Sequence, residues 1–315
     1  MRIGLIDVDN IGKLHKCFPN LALMKISAWH KAQGDSVEWY DPMFGNHYDK
    51  VYMSKVFSFT DDYQYHINAD EVIKGGSGYC IRLENGKEVY DASKDSQLPY
   101  EIEHIMPDYL LYEIKDTAYG FLTRGCPRGC DFCHVGAKEG KCSYKVADLK
   151  EFWNGQKNIV LMDVNILACK DWKELLKQIK ESCAYVDFNQ GIDIRLMTEE
   201  KALMLRDIKT KYVHFAFDRY EDKDIIVPKM KMLKDITGWG RAKVSVYILC
   251  GFNSTMEENL ERIEICRMLD FSPYVMLYNK QNIPKGHELR KLQRWCNNKI
   301  IFWSCNSFEK YMKEN

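Results

Sequence analysis

The sequence predicts an α/β protein built from two successive arrays of parallel strands, and three observations carry that expectation. Short β-branched runs alternate with amphipathic stretches of helical period along most of the chain. The alternation is interrupted once, over residues 80–117, by a stretch of hairpin character. The 315 residues also exceed the usual size of one domain. The first array reads as a doubly wound, Rossmann-like sheet, and the second as a partial (β/α)6, TIM-like barrel.

In the first array, Ile3 to Val8 (IGLIDV) has the length and branching of a buried strand. Asn20 to Gln33 follows as an amphipathic helix closed by Gly34, completing a βα unit. Ser36 to Tyr40, Lys50 to Phe57 and Glu71 to Lys74 continue the sheet, and the last runs into Gly75-Gly76-Ser77-Gly78. That loop falls at the carboxyl end of a strand, where such sheets bind ligands. It reads either as a tight turn needing positive φ or as backbone that lets a phosphate or flat cofactor approach. Next, IRLENGKEVYDASKD alternates around Asn85-Gly86 as a hairpin connector.

The second array offers six strands: Tyr119 to Thr123, Asn158 to Asp163, Asp187 to Asn189 with Ile192 to Ile194, Val213 to Phe217, Lys243 to Leu249, and Pro273 to Leu277. Five helical patterns separate them: Val146 to Asn154, Trp172 to Ser182, Glu199 to Leu205, Ile225 to Ile236 and Met256 to Met268. The last segment reads as a helix (HELRKLQRWCNN), a strand-like piece (IIFW) and a short helix (SFEKYM). The expected division is therefore 1–110 for the first domain with its connector, 111–283 for the partial barrel and 284–315 for a helical cap.

Composition narrows the function classes. Lys plus Arg and Asp plus Glu both number 45, so no global basic field points to nucleic acid or an anionic membrane. The 19 Tyr, 14 Phe and 7 Trp fall at core-like spacing and read as packing without a basic stripe beside them. No apolar run reaches the length of a membrane span, and MRIGLIDVDN meets Asp7 and Asp9 too soon for a signal peptide, so the expectation is a cytoplasmic protein. Its twelve cysteines then read as reduced thiols. Cys17, Cys80, Cys169, Cys183, Cys266, Cys296 and Cys305 are scattered singly, as small buried hydrophobes are. A second cluster on Cys296 and Cys305 with Cys250 or Cys142 is the alternative for some of them.

Residues 123–136, TRGCPRGCDFCHVG, differ: Cys126, Cys130 and Cys133 fall within eight positions, just after the first strand of the barrel array. Catalytic loops collect at that end of a barrel. Zinc would need a fourth donor, His134 or Cys142, at a spacing foreign to zinc fingers. A 4Fe-4S cluster instead uses three thiolates for three irons and leaves the fourth iron open.

Cys126-x3-Cys130-x2-Cys133, with Phe132 before the last cysteine, resembles the signature loop of the radical S-adenosylmethionine superfamily. The resemblance implies a 4Fe-4S cluster on Cys126, Cys130 and Cys133, S-adenosylmethionine chelated to the open iron, and an electron donor such as a flavodoxin or ferredoxin. It implies reductive cleavage to a deoxyadenosyl radical that acts on a substrate the sequence does not name. For the cosubstrate it implies a set of candidates. Asp163 and Asn165, in Met162-Asp163-Val164-Asn165, stand where the family hydrogen-bonds the methionine amino group, although its common Gly-Gly-Glu form is absent. Gln190 and Arg195, in QGIDIR, end the third strand, where Arg195 reads either as a fork for the methionine carboxylate or as a rim ion pair to Asp193, Asp163 or Asp218. Asp218 ends FAFD, at a position for ribose hydroxyls. Gly251 lies in a bend that can reach the adenine, and Phe132 can stack there.

The N-terminal half resembles the cobalamin-binding-type domain of one branch of that superfamily, through PNLAL before the helix, Tyr40-Asp41-Pro42 after the second strand, and Gly75-Gly76. This makes Gly75, Gly76, Ser77 and Gly78 the candidate cobalamin loop, and cobalamin-dependent methyl transfer an alternative activity. No Asp-x-His-x-x-Gly run supplies a cobalt ligand. From another class, a non-catalytic zinc or iron-sulfur regulatory module also fits the cysteines.

Overall fold

The computed structural model describes residues 1–13, 18–43, 45–84 and 87–314; Cys17 and the Asn85-Gly86 turn lie outside the described residues. The chain is α/β, with a four-stranded and a six-stranded parallel sheet. It divides into two compact units: Met1–Gly120 with Gly125–Cys142 and Ala147–Lys157, and Phe121–Arg124 with Ser143–Val146 and Asn158–Asn315.

In the first unit, β1 (Arg2–Asp7), α1 (Leu21–Ala32), β2 (Ser36–Trp39), β3 (Tyr48–Ser54) and β4 (Ala69–Gly75) form a sheet ordered β2-β1-β3-β4. Asn20 starts α1 by accepting from the Leu23 N–H and also donates to Ser54. Strand alternation sends Ile3 and Leu5 to one face, with Leu23 and Ile26 of α1, and Ile6 to the other with Tyr48, Val51 and Met53. Tyr40, Tyr63 and Ile67 cover this second face. Here the structure corrects the doubly wound expectation. Among the described residues, the β2–β3 and β3–β4 connections contain no α-helix. The second connection, VFSFTDDYQYHIN, has aromatic and acidic residues but no apolar helical stripe, so loop aromatics seal the sheet.

The short helix α2 (Ser77–Cys80) leads to the antiparallel pair β5 (Ile81–Glu84) and β6 (Lys87–Tyr90), then α3 (Tyr100–Glu103). The expected strand Tyr119 to Thr123 is broken into β7 (Thr117–Gly120) and β8 (Thr123–Arg124). The break has a physical cause: the Leu122 and Thr123 N–H groups donate to the Asp163 carboxylate. After α4 (Val135–Lys138), β9 (Tyr144–Lys145) returns antiparallel to β8. The helix expected over Val146 to Asn154 shrinks to one 3-10 turn, Leu149–Glu151, fixed by a capping box between Asp148 and Glu151. Phe152 then turns inward against Gly120, where any β-carbon would strike its ring.

The second unit carries β10 (Asn158–Leu161), α5 (Trp172–Ser182), β11 (Tyr185–Ile192), α6 (Glu199–Asp207), β12 (Thr210–Ala216), α7 (Lys223–Thr237), β13 (Val244–Cys250), α8 (Met256–Met268) and β14 (Ser272–Leu277). The six-stranded sheet runs β14-β13-β12-β11-β10-β7, each strand beside its successor in the array. Val186, Phe188, Val213, Phe215, Val244, Val246, Ile248 and Val275 are buried on one face, and α8 packs on β13 and β14. The chain ends in α9 (Glu288–Asn297), α10 (Lys299–Ser304) and α11 (Phe308–Glu314). IIFW, expected as strand-like, is helical in α10 because Asn298 accepts from the Ile300 and Ile301 N–H groups and Phe302 is buried against Trp295. Among the described residues, no helix is long and apolar enough to cross a membrane.

Candidate functional site

The cysteine segment belongs to the first unit and is pinned at both ends. Gly125, at φ 78°, donates its N–H to Glu139, and a β-carbon there would collide with the Cys142 carbonyl, so only glycine permits this entry. The Cys126 N–H donates to the Gly140 carbonyl, and the Cys133 N–H to the Cys130 carbonyl. Beyond the cysteines, His134 Nδ1 lies 2.7 Å from Glu88, and Lys138 donates to Ser77 Oγ at 2.6 Å. His134, the neighbour weighed as a zinc donor, is thus held by a carboxylate.

Cys126 and Cys130 are half-buried, as is Phe132. Cys133 keeps surface access, yet local desolvation, followed by Cys130 and Cys126, pushes its thiol up to about 11. Cys130 and Cys126 are therefore close enough to Cys133 to disfavour its ionisation. Among the described residues, no three His, Cys, Asp or Glu side chains converge as a ligand set for one metal ion. A cluster asks for a different arrangement, with each thiolate taking its own iron. The second cluster weighed for Cys296 and Cys305 likewise has no converging set among the described residues; Cys250, Cys266 and Cys296 are buried thiols pushed up by burial.

The glycine loop takes the positive-φ turn, one of its two expected readings. Gly76 sits at φ 99°, with the Lys55 carbonyl in the space a β-carbon would take. Gly78 meets Lys55 Cγ at 2.7 Å and the Phe57 carbonyl at 2.8 Å in the same sense, and its N–H donates to the Lys55 carbonyl. Gly75 has ordinary room beside Ser96, and Ser77 receives Lys138. The gap that these glycines create is filled by residues 55–57, so they do not fit as a cradle for a corrinoid tail.

In the second unit, Asp163 is buried at 4% exposure and accepts from the Leu122 N–H (3.1 Å), the Thr123 N–H (2.5 Å) and Thr123 Oγ1 (2.6 Å). Burial pushes its carboxyl up to about 6 against those bonds. Asp163 thereby fixes the chain three residues before Cys126. Asn165 is also buried, and its carbonyl accepts from Ser143. Gln190 is exposed at the end of β11.

Arg195 lies between two carboxylates, with Nε 2.8 Å from Asp193 and one terminal nitrogen 2.5 Å from Asp222. Of the rim partners expected, Asp193 is present, and Asp222 completes the pair. A ligand carboxylate would have to displace one of them. Asp218 accepts from the Leu249 N–H, and burial pushes it up to about 6 while Arg262 and Arg195 pull it down. Gly251, at φ 82°, is exposed at the end of β13.

The residue that organises this end of the sheet went unread in the sequence. Arg262 of α8 is wholly buried and donates to the Phe217, Asp218 and Leu249 carbonyls, to Ser254 Oγ and to Asn259 Oδ1. It joins the ends of β12 and β13 to α8, which fixes Asp218 and the Gly251 bend together. The available signal was position: Arg262 shares the buried stripe of Asn259, Ile263 and Cys266, where a solvated arginine does not belong. No protein-family model matches this chain, and no curated protein matches it.

Proposed function

We propose that the protein is a radical S-adenosylmethionine enzyme, with an N-terminal α/β domain on a four-stranded parallel sheet and a partial (β/α)6 barrel. One observation carries the reading: a CxxxCxxC segment begins six residues after Gly120, the end of the first strand (β7) of a sequentially ordered, parallel six-stranded sheet, with only the short β8 between. The donor set fits a 4Fe-4S cluster, since three neighbouring thiols share one loop and His134 is engaged by Glu88. When bound, the cluster supplies one electron to the sulfonium of S-adenosylmethionine and so gives access to a primary deoxyadenosyl radical.

Cys126, Cys130 and Cys133 would hold three irons. Gly125 and Glu139 hold the loop's entry, and Asp163 holds the strand before it. Within the second unit, taken by itself, Asp218, fixed by Arg262, has the chemistry of an acceptor for sugar hydroxyls, and Arg195 has charge for a carboxylate once an aspartate yields. A flavodoxin or ferredoxin is the class of electron donor this chemistry asks for. Cytoplasmic residence accords with clustered reduced thiols. Cobalamin-dependent methyl transfer is the weaker reading, because the glycine loop is filled by residues 55–57.

The test is anaerobic reconstitution followed by iron and sulfide analysis. About four irons with sulfide, and cleavage of S-adenosylmethionine on reduction, are expected. Alanine at Cys126, Cys130 or Cys133 should abolish both. One zinc without sulfide would replace this reading by a zinc module, and a full cluster in any single cysteine variant would overturn the ligand assignment.

A further inference from the structure

The face of the six-stranded sheet opposite the buried apolar one carries a polar pair that nothing above uses. Asp187 on β11 and His214 on β12 alternate with Val186, Phe188, Val213 and Phe215, which are buried on the other side. The pairing register sets Asp187 beside Tyr212, which brings His214, two residues on, to the same face. Asp187 Oδ1 and His214 Nε2 are 3.5 Å apart, beyond a normal hydrogen bond. Asp187 Oδ1 and His214 Nδ1 are both shielded from water and have no hydrogen-bond partner among the described residues. Buried polar atoms are nearly always bonded, so two adjacent exceptions call for a missing partner. The side chains themselves remain reachable, at 21% and 18% exposure.

The surroundings specify the partner's shape. The His214 ring stacks on Tyr247 with centroids 5.2 Å apart and planes 12° from parallel, and Tyr274 meets Tyr247 edge-on at 5.8 Å. Tyr247 is held in place by its hydroxyl, which donates to the Asn189 carbonyl at 3.4 Å. Tyr274 and Met276 are each 45% exposed on the same face. Planar rings with an exposed thioether favour a flat ligand, and a carboxylate beside an imidazole favours one with both a donor and a ring nitrogen.

We propose that this face binds a planar nitrogen heterocycle, its plane lying against the tyrosines and its polar edge toward Asp187 and His214, whose side chains turn to bring their shielded atoms to its N–H or amino group and its ring nitrogen. That the heterocycle is the substrate of the radical rests on the function proposed above; the binding site does not.

Calorimetric titration of the full-length, anaerobically reconstituted protein with adenine, cytosine and benzimidazole tests this. At least one should bind with a Kd below ~1 mM. Asp187→Ala and His214→Ala should each weaken it by about tenfold or more, with the isosteric Asp187→Asn in between. The affinity for S-adenosylmethionine and the thermal midpoint, measured on the same samples, should stay unchanged. Failure of all three probes to bind the wild type, or equal binding by the variants, overturns the proposal. So does competitive displacement of the heterocycle by S-adenosylmethionine, which would make the face the cosubstrate's own. If no cluster assembles while binding still depends on Asp187 and His214, the radical reading fails and the site stands. An intact cluster with no heterocycle bound is the reverse.

Discussion

The carboxyl end of the four-stranded sheet and the open face of the six-stranded one both present carboxylates beside polar side chains, but their bonding differs. At the first, Asp9 accepts from the Val56 and Phe57 N–H groups and from Thr60 Oγ1, and Asp7 accepts from the Tyr112 hydroxyl and from Asn10. Gly76 and Gly78 admit the backbone of residues 55–57 to the remaining space. On the second, Asp187 and His214 keep atoms that nothing in the described chain satisfies. An acidic residue at the end of a parallel strand is therefore weak grounds for a site. What discriminates is whether its lone pairs are already engaged by the protein.

The largest test of this contrast is Gly76→Val. A side chain at φ 99° that also meets the Lys55 carbonyl should cost more than ~3 kcal/mol in urea unfolding, with or without added cobalamin. A fully stable variant would instead mean that the loop opens toward a ligand. Arg262→Met comes next: it leaves the Phe217, Asp218 and Leu249 carbonyls without their donor in a buried region, for an expected loss of about 3 kcal/mol. Arg262→Lys should recover only part of this, because an ammonium lacks the planar fork.

A smaller effect is expected from the pH dependence of Asp163. Its folded pKa, about 6, lies above the ordinary carboxyl value, so the folded state binds the extra proton between the two. Stability from this group should therefore rise as pH falls from about 7 through 6 toward 4, by an amount of order 2 kcal/mol. Denaturation midpoints of the wild type should gain on those of Asp163→Asn over that range; parallel curves would refute the burial argument. Smallest are the helix caps. Asn20→Ala, which also loses the bond to Ser54, should cost about 1–2 kcal/mol, and the exposed Thr255→Ala at α8 about 0.5–1 kcal/mol.

Where one physical signal dominated a segment, the sequence was legible. Helices α5 and α8 lie at the expected residues, and the strands of the second array after its first appear within a few positions, because apolar alternation and capping agree there. Tyr119 to Thr123 misled because the Leu122 and Thr123 N–H groups are taken by Asp163, a residue 40 positions from Thr123 that no local pattern reveals. IIFW misled because β-branching outweighed the cap at Asn298. The cysteines were visible through spacing alone. Asp187 and His214 were not, since only the register between neighbouring strands joins them.

The bonds from the cysteine segment to Glu88 and Ser77 bear on how this chain can be dissected or inherited. A gene fragment beginning near codon 115 would encode all three cysteines but remove the partners of His134 and Lys138. Expressed alone, it should yield a cysteine loop more open to protease than in the full chain. Linear order along the gene is thus a poor guide to which residues must be kept together, and a lineage that lost the first hundred codons would lose part of the support for its thiols with them.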